Sequence, residues 1–469
     1  MDRPSNRVLA RIPLAEAVLL LWRWVTCEER MSEVWQLHRG RCYEKIISFS
    51  QMVHLIADAL LQYKGSARRS FEKGIENGEL EATFQAAYKK MSRLPVAVSQ
   101  AFLAHGTAAL IEAFPAWSQW ELPNSLRGLR VVTLDGKAIK RVAKRLKLLR
   151  GIPGGLLGGR ALVAMDWCTG LAVAMHAHED GDANDVRFVP ELVPVVREYV
   201  SGPRLWLADS AFCDLEQPTR FTSEEGDHFL VRYHPKVKFH RDKTTKQRKG
   251  KTADGQIYVE TWGWLGSAHD KRRRYVRMIR LACPGKERDV ILVTDLLDAE
   301  AYPAEDLLWL YAERWGIENM FQKVTEVFGL QGLIGSSPKA CIFQLAFCLL
   351  LYNMIQVVRG YIAQAQDREP DEISTEKLFD DVERQLIAWN VMFEPQITIN
   401  YFARLPDLEE LQLQLQALLG SPWSDTWLKS PIQKHHGRTR RRRARTHNSV
   451  YRILHGHTRR KRKRKARDP

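Results

Sequence analysis

Residues 129–135 read Leu-Arg-Val-Val-Thr-Leu-Asp, and residues 205–209 read Leu-Trp-Leu-Ala-Asp. Each is a short apolar run that closes on an aspartate, a pattern typical of a buried strand. A carboxylate at the end of a buried strand is poorly solvated, and it needs a hydrogen-bond donor, a cation or a metal ion to stay charged. Taken singly, each aspartate is more often explained by capping of the turn that follows it.

The segments around these two runs predict an alternating α/β order. Strands are predicted at residues 129–134, 161–167, 171–176, 205–208, 228–233 and 290–294, with a helix at residues 186–200. Three adjacent strands followed by alternating helix and strand resemble the ribonuclease H-like fold, a mixed sheet flanked by helices. The order alone is also compatible with other α/β folds.

Composition divides the chain further. Residues 1–127 predict a helical N-terminal domain, and Pro115, Pro123, Asn124 and Gly128 mark its end. The α/β core is expected in two parts, residues 128–235 and 290–365, separated by an inserted β-rich subdomain at residues 236–289. Residues 366–433 predict a helical C-terminal region, and residues 434–469 a basic, disordered tail.

The positive charge is concentrated in that tail. The net charge is +16, and residues 434–469 hold sixteen Lys and Arg against one acid, Asp468, while the rest of the chain holds 55 basic against 54 acidic residues. A polyanionic partner is therefore expected to meet the tail first, and elsewhere only local basic clusters. One such cluster, with no acid inside it, directly follows Asp135 and includes Lys137, Lys140 and Arg141.

A third chemical element lies in the helix that Pro303 is suited to open and that we predict to continue to about Val327. Tyr311, Arg314 and Glu318 fall on one narrow face of that helix at about 100° per residue. An exposed Arg-Glu pair at this spacing is common on surface helices. Together with Asp135 and Asp209, however, Glu318 completes a set of oxygen ligands suited to two Mg²⁺ or Mn²⁺ ions that clamp a phosphodiester.

These motifs resemble those of the insertion sequence four family of bacterial DDE transposases. The resemblance rests on residues 134–136 (Leu-Asp-Gly), 208–212 (Ala-Asp-Ser-Ala-Phe), 293–296 (Val-Thr-Asp-Leu) and 311–321, and on the place of the β-rich insertion. It implies cut-and-paste DNA transposition, with two protomers bridging two element ends. The N-terminal helices are then expected to bind end DNA.

The resemblance also implies roles for individual residues. Asp135, Asp209 and Glu318 would be the catalytic metal ligands, and Tyr311 and Arg314 would grip phosphates near the element end. The sequence departs from the family pattern where the family has lysines four and seven residues after the glutamate, since Gln322 and Thr325 stand there. Lys323 lies about 140° around the helix from Glu318, so the lysine role is not transferred to it.

Other signals carry less weight. Trp262 and Trp264 lie between basic clusters and are candidates for stacking on a base, although residues two apart in a strand more often pack one face of a small sheet. Residues 176–185 offer His, Asp and Glu side chains in no standard zinc spacing, and they are expected to form a solvated loop that caps the next helix. The glycines at residues 151–159 match no nucleotide-binding motif, so no nucleotide cofactor is expected.

The seven cysteines include no CxxC pair, which fits a reducing compartment, and we expect a bacterial cytoplasmic, nucleoid-associated protein. The most apolar run, residues 340–358, is interrupted by Gln344, Asn353 and Gln356, so we expect a buried helix rather than a membrane span. Two rival functions remain open: a metal nuclease on the same fold without strand transfer, and a non-enzymatic nucleic-acid-binding protein that acts through its tail.

Overall fold

The computed structural model describes residues 6–63, 66–115, 120–283, 289–330, 332–429 and 447–456. The N-terminal region is helical, as its sequence predicts. Apolar side chains recur at helical spacing in this region and pack with the long helix of residues 338–365 into one core. Its helices are α1 Asn6–Leu9, α2 Pro13–Val25, α3 Glu28–His38, α4 Phe49–Leu61, α5 Ala67–Glu76, α6 Phe84–Arg93 and α7 Val96–Ala113.

The centre of the protein is a mixed, ten-stranded sheet. The strands of the protein are β1 Arg130–Ala138, β2 Gly155–Leu157, β3 Arg160–Asp166, β4 Ala172–His178, β5 Arg204–Ala208, β6 His228–Arg232, β7 Phe239–Arg241, β8 Arg248–Lys251, β9 Ile257–Leu265, β10 Arg274–Leu281, β11 Val290–Thr294 and β12 His447–Ser449. In the central sheet they lie in the order β4-β3-β1-β5-β6-β11-β10-β9-β7, and β8 pairs with β9. The strands β1, β5 and β6 are parallel, while β3 and β4 are added antiparallel at one side.

Helices cover both faces of this sheet, because its central strands are apolar on both sides. Val132, Leu134 and Trp206 pack on the face of α8 (Val189–Tyr199) and α9 (Gln217–Phe221). Val131 and Leu205 pack on the opposite face, against α10 (Ala304–Glu313). Alternate residues of β1 therefore serve two different cores, which fixes its register.

The β-rich insertion joins the central sheet. Its strands β7 to β10 continue the central sheet, since β10 pairs with β11, and β11 pairs with β6. Leu265 and Val276 of the insertion are buried in the same core as the central strands. The β-rich character was predictable from alternation, but alternation does not encode which strands pair with one another.

The single helix expected after Pro303 is two helices, α10 and α11 (Trp315–Glu326), which meet at Arg314. The backbone N–H groups of Arg314 and Ile317 bond three residues back at this junction, to Tyr311 and Arg314 respectively. Gly316, a poor helix former, lies beside the break. The prediction of one continuous helix is therefore wrong.

The helix α12 (Pro338–Ala365) is the buried helix that the sequence predicts. By length and composition alone, α12 and α7 could each cross a membrane. The apolar window of α12 is 100% buried inside the protein, however, and that of α7 is 61% buried. Gln344 and Asn353 of α12 bond backbone groups of the protein itself, as expected of a core helix.

The C-terminal helical region is interrupted at its prolines. It comprises α13 (Thr375–Met392), α14 (Pro395–Tyr401) and α15 (Leu408–Leu419). Proline cannot continue a preceding helix, and Pro395 opens the second one. Asp407 then caps the third through a capping box with Glu410.

Part of the tail is folded, which corrects the expectation of disorder for residues 447–456. These residues form β12 and α16 (Val450–Leu454), and Val450 is fully buried. The remaining tail residues, 434–446 and 457–469, lie outside the described part of the chain. Because the tail as a whole is strongly basic, its composition does not reveal the short apolar stretch that packs in the folded segment.

Candidate active site

Two aspartates lie side by side at one edge of the sheet. The parallel register pairs Leu134 of β1 with Ala208 of β5, so Asp135 and Asp209 follow the last paired positions of two adjacent strands. β1 itself continues beyond Asp135 to Ala138 through its pairing with β3, which differs from the expected strand end. Both side chains are partly buried, and we call this border of the sheet the catalytic edge.

Asp135 lies in an environment that disfavours its charged form. Burial, together with the nearby carboxylates of Asp209 and Glu318, raises the pKa of its carboxyl from the ordinary value of 3.8 to about 6. A 2.8 Å hydrogen bond from the Gly136 N–H and the guanidinium of Arg314 act in the opposite direction. A bound cation would relieve this mutual repulsion of carboxylates.

Asp209 also performs the turn-capping role considered above. Its Oδ1 accepts a 2.7 Å hydrogen bond from the Ala211 N–H and caps the short helical turn Ser210–Phe212. Capping engages one carboxylate oxygen and fixes the direction of the other. The structural role is therefore compatible with metal coordination and does not replace it.

Arg314 is the buried cation of the site. Its Nη2 donates a 3.0 Å hydrogen bond to Glu318 Oε1, and only 7% of the residue is exposed. Within the described residues, its Nε and Nη1 are buried and have no hydrogen-bond acceptor. Unpaired N–H groups on a buried guanidinium are unfavourable, and a phosphate oxygen would satisfy them.

Tyr311 completes this group from the last turn of α10. Burial raises the pKa of its phenol. The cations of Arg314 and Arg232 lower this pKa, and the carboxylate of Asp209 raises it. The guanidinium of Arg314 lies 5.7 Å from the ring centroids of both Tyr311 and Trp315. The structure thus brings Asp135, Asp209, Glu318, Arg314 and Tyr311 into one electrostatic neighbourhood.

The donor set suits a hard divalent ion, because it offers carboxylate oxygens from two strands and one helix. Among the described residues, however, no three His, Cys, Asp or Glu side chains lie close enough to hold a single metal ion. The ion pair with Arg314 directs Glu318 toward the guanidinium. The ligands are adjacent in this structure without converging on one point.

Sequence reasoning missed Asp185, which lies behind Asp135 on the other face of β1. Arg160 Nη2 and Nε donate to Asp185 Oδ2 at 2.6 and 3.2 Å, and a Cβ at Gly136 would collide with this carboxylate. The expected helix cap in this loop is Asn184, whose side chain accepts from the Val186 N–H. The glycine directly after Asp135 was the available signal, because close packing often requires a missing side chain.

The basic cluster after Asp135 does not point in one direction. Lys137 turns inward, and its Nζ donates to Thr325 Oγ1 at 2.7 Å and to the Phe321 carbonyl at 3.1 Å. Burial lowers the pKa of its ammonium to about 8. Lys140 and Arg141 lie on the exposed loop that follows β1.

Lys323 lies on another side of α11. Its Nζ is 3.8 Å from Glu376 Oε2, and it lines a groove of about 880 Å³ between α11, α12 and α13. The helix register inferred from the sequence, which turned Lys323 away from Glu318, agrees with these contacts.

The two tryptophans of β9 have different environments. Trp262 is 8% exposed, and its indole N–H donates to the Leu297 carbonyl at 2.9 Å. Trp264 is 37% exposed, and the guanidinium of Arg273 lies 4.4 Å from its ring centroid. Of this pair, Trp264 is therefore the exposed ring.

Comparison with known proteins finds a family with a similar pattern. Residues 131–354, just under half of the chain, match the family described as "Transposase DDE domain", a range that includes Asp135, Asp209 and Glu318. This part of the chain is therefore similar to a DDE transposase domain.

Two individual proteins show low sequence identity to the chain. The chain is similar to a probable transposase for insertion sequence element IS5377 of Geobacillus stearothermophilus, with 23% identity over 163 residues, 35% of this chain and 41% of that protein. The chain thus spans about two fifths of the length of this relative. A cryo-EM structure of the piggyBac transposase synaptic complex with hairpin DNA is similar with a TM-score of 0.37 and 10% identity, over 88% of each chain.

Proposed function

We propose that this protein is a DNA transposase of the insertion sequence four family, which cleaves and joins DNA strands at the ends of an insertion sequence. One observation carries the proposal: Asp135 and Asp209 directly follow the last parallel pair of two adjacent strands, and Arg314, at the junction of α10 and α11, and Glu318 of α11 lie near them. Three adjacent antiparallel strands followed by two parallel ones support a ribonuclease H-like core. The proposed location is the bacterial cytoplasm, where the DNA substrate lies.

Asp135, Asp209 and Glu318 would hold two Mg²⁺ or Mn²⁺ ions. When bound, such ions activate the attacking oxygen and stabilise the leaving oxygen of a phosphodiester. Glu318 Oε1 accepts from Arg314, so the Glu318 carboxylate would be shared between the guanidinium and a metal ion or would turn from one to the other. A DNA phosphate that satisfies the buried N–H groups of Arg314 would weaken its hold on Glu318 and leave the carboxylate freer to bind the metal.

The DNA contacts follow from the same geometry. Tyr311 and Arg314 lie beside the carboxylates and can bind the phosphate next to the scissile bond. Lys137 adds a cation between β1 and α11, and Lys140 and Arg141 extend the basic surface along the loop. Trp264, flanked by Arg273, offers a face for an unpaired base. Two protomers are expected to bridge the two element ends.

The proposal is tested with Asp135→Asn, Asp209→Asn and Glu318→Gln, which change ligand charge with little change in shape. Each variant should lose Mg²⁺-dependent nicking of an end-containing duplex while its affinity for that duplex stays within a few-fold. Glu313→Gln is the matched control, because Glu313 is exposed on the preceding helix. Nicking and gel-shift assays measure the two properties separately.

Retained nicking by any one of the three variants removes that residue from the site. Cleavage without strand transfer to a target duplex identifies a nuclease on the same fold instead. End binding without any cleavage by the wild-type protein identifies a non-enzymatic binding protein.

A further inference from the structure

The groove beside α11 contains three basic side chains that the proposed active site does not use. They are Lys323 of α11, Arg359 of α12 and Lys429, in the segment after α15, and we call them the groove cations. The lining of the groove does not include the carboxylates of Asp135, Asp209 and Glu318. The groove cations are therefore a separate cluster, contributed by three different parts of the fold.

Arg359 is the buried member of this cluster. Only 6% of the residue is exposed. Its Nη1 donates to Thr375 Oγ1 at 3.3 Å, and its Nε is buried without a hydrogen-bond acceptor among the described residues. Burial lowers the pKa of its guanidinium, while Tyr352 and Asp371 raise it. An unpaired N–H group on a buried guanidinium is unfavourable, and an oxyanion in the groove would satisfy it.

The two lysines lie within electrostatic range of Arg359 and of each other. Burial and the cations of Lys429 and Arg359 lower the pKa of the Lys323 ammonium, against the opposing effect of Glu376. Like charges that lie this close disfavour one another, and an anion bound between them would remove the repulsion.

The backbone fixes the position of each groove cation. Lys323 and Arg359 lie within regular helices. The Lys429 N–H donates to the Glu372 carbonyl at 2.9 Å, and Leu428 forms a β-bridge with Ile373 just before α13. Little backbone ordering is therefore needed when an anion binds, which favours affinity.

Two carboxylates pair with the lysines at the rim of the groove. Asp371 lies 2.5 Å from Lys429 Nζ, and Glu376 lies 3.8 Å from Lys323 Nζ. The side chains of Asp371 and Glu376 are 67% and 61% exposed, and ion pairs in such exposed positions contribute little. Both carboxylates can therefore turn to solvent when an anion enters.

The donor set suits a phosphate group. A guanidinium offers a planar fork of N–H groups, and each ammonium adds a compact charge from another direction. A tetrahedral dianion has oxygens that can meet all three cations, whereas the two oxygens of a carboxylate lie in one plane. The groove, at about 880 Å³, also has room for a larger molecule that carries the phosphate.

We propose that Arg359, Lys323 and Lys429 bind a phosphate group, supplied as free inorganic phosphate or as the terminal phosphate of a DNA strand. The bound phosphate joins α11, the helix that carries Glu318, to α12 and to the segment that holds Lys429. The site goes beyond the proposed function, because it requires neither a metal ion nor strand cleavage.

Calorimetric titration of the full-length protein with inorganic phosphate, in chelator and at constant ionic strength, tests the site. Wild-type protein should bind phosphate saturably, and sulfate but not acetate should compete. Arg359→Met should weaken phosphate binding at least about tenfold. Lys323→Met and Lys429→Met should each weaken it about threefold, because these ammonium groups are more exposed.

Arg384→Met is the matched control, since Arg384 is exposed on α13, and its phosphate affinity should equal that of the wild type. The variants share every other basic residue, so weak binding elsewhere on the chain cancels in the comparison. Replacing buried Arg359 can also alter the packing of α12, and the two exposed lysine variants keep the test independent of folding. Hydrogen exchange should show phosphate-dependent protection of residues 319–327 in the wild type and not in Arg359→Met.

Equal phosphate affinity in the wild type, the three groove variants and Arg384→Met overturns the proposal. Acetate binding as tight as phosphate binding also overturns it. A short DNA strand with or without a terminal phosphate then distinguishes the two sources. Preference for the phosphorylated strand that is lost in Arg359→Met supports a DNA end, and dependence on Arg359 for inorganic phosphate alone supports the free ion. Because divalent metal is excluded throughout, failure of this site and failure of the nicking test are separate results.

Discussion

Lys137 Nζ on β1 donates a 2.7 Å hydrogen bond to Thr325 Oγ1 on α11. The strand that carries Asp135 is thereby joined to the helix that carries Glu318 by a partly buried ammonium. Lys137 lies two residues after Asp135 on the same face of the strand. The ammonium of Lys137 thus lies beside Thr325, the position at which the resembled family has a lysine.

Replacing Lys137 by alanine is expected to reduce end cleavage at least about tenfold, because a charged hydrogen bond is worth about 1.5–3 kcal/mol. Lys140→Ala, on the exposed loop, is the control and should change cleavage less than about threefold. Cleavage rates at matched amounts of folded protein measure both. Equal effects of the two variants would reduce Lys137 to one member of a diffuse basic surface.

Arg314→Ala should be severe and Lys323→Ala mild. The first change removes a buried, permanently charged donor beside the carboxylates, whereas Lys323 faces Glu376 across a separate groove. Arg314→Lys should recover only part of the activity, since an ammonium lacks the planar fork. Comparable damage from Lys323→Ala would place the groove, and not the carboxylate site, on the path of the DNA.

Gly136→Ala is expected to inactivate the enzyme by displacing Asp185. The new methyl group collides with the Asp185 carboxylate that Arg160 holds, and Asp135 is the adjacent residue. The double variant Gly136→Ala with Asp185→Ala removes the collision, so nicking should partly return. No recovery in the double variant would show that Asp185 itself is needed for activity.

The tryptophans of β9 should separate stability from binding. Trp262→Ala removes a buried ring that bonds Leu297, and it is expected to lower the free energy of unfolding by about 3–5 kcal/mol. Trp264→Ala should leave stability nearly unchanged and weaken binding of DNA with an unpaired base by about 1–3 kcal/mol. Trp264→Phe keeps a ring face and serves as the control. Equal loss of affinity for fully paired DNA would argue against base stacking.

Stability should also depend on pH through Asp58 in the N-terminal helices. Burial raises the pKa of this carboxyl to about 7, well above its ordinary value of 3.8, so its charged form destabilises the folded state. The penalty is absent below about pH 4, grows as pH rises to about 7, and is complete above that. Asp58→Asn removes it, and unfolding at pH 8 should then require about 1–3 kcal/mol more than in the wild type.

The advantage of Asp58→Asn should disappear at pH 4, which denaturant titration at the two pH values measures. Asp254→Asn, in an exposed loop, is the control and should show no such dependence. An advantage of equal size at both pH values would indicate better packing and not the loss of a buried charge.

The order of the strands and the two aspartates could be predicted because they depend on local signals. A five-residue apolar run predicts a strand, and an aspartate that directly follows the run is expected where the strand reaches the border of the sheet. The break at Arg314 could not be predicted in the same way, since periodicity continues through residues 311–321. Asp185 was missed because its partner, Arg160, and its neighbour, Gly136, are brought to it only by strand pairing.

The tail shows the same limit of prediction from local sequence. Composition correctly located the charge, yet Val450 is buried and Arg452 pairs with Asp180, some 270 residues earlier in the chain. Such contacts have no signature in the tail sequence alone. The metal ligands, the DNA contacts and the domain roles stay predictions for the experiments above.

The strands that flank the insertion are direct neighbours, with Leu230 of β6 opposite Thr294 of β11. The chain therefore leaves the core and returns to it at the same point, like a hairpin whose loop has been enlarged. The entropy of closing such a loop rises only slowly with its length. Strands could be gained or lost between residues 232 and 290 while the register of β1, β5 and β6 stays fixed, so this junction absorbs changes in length without disturbing the strands beside Asp135 and Asp209.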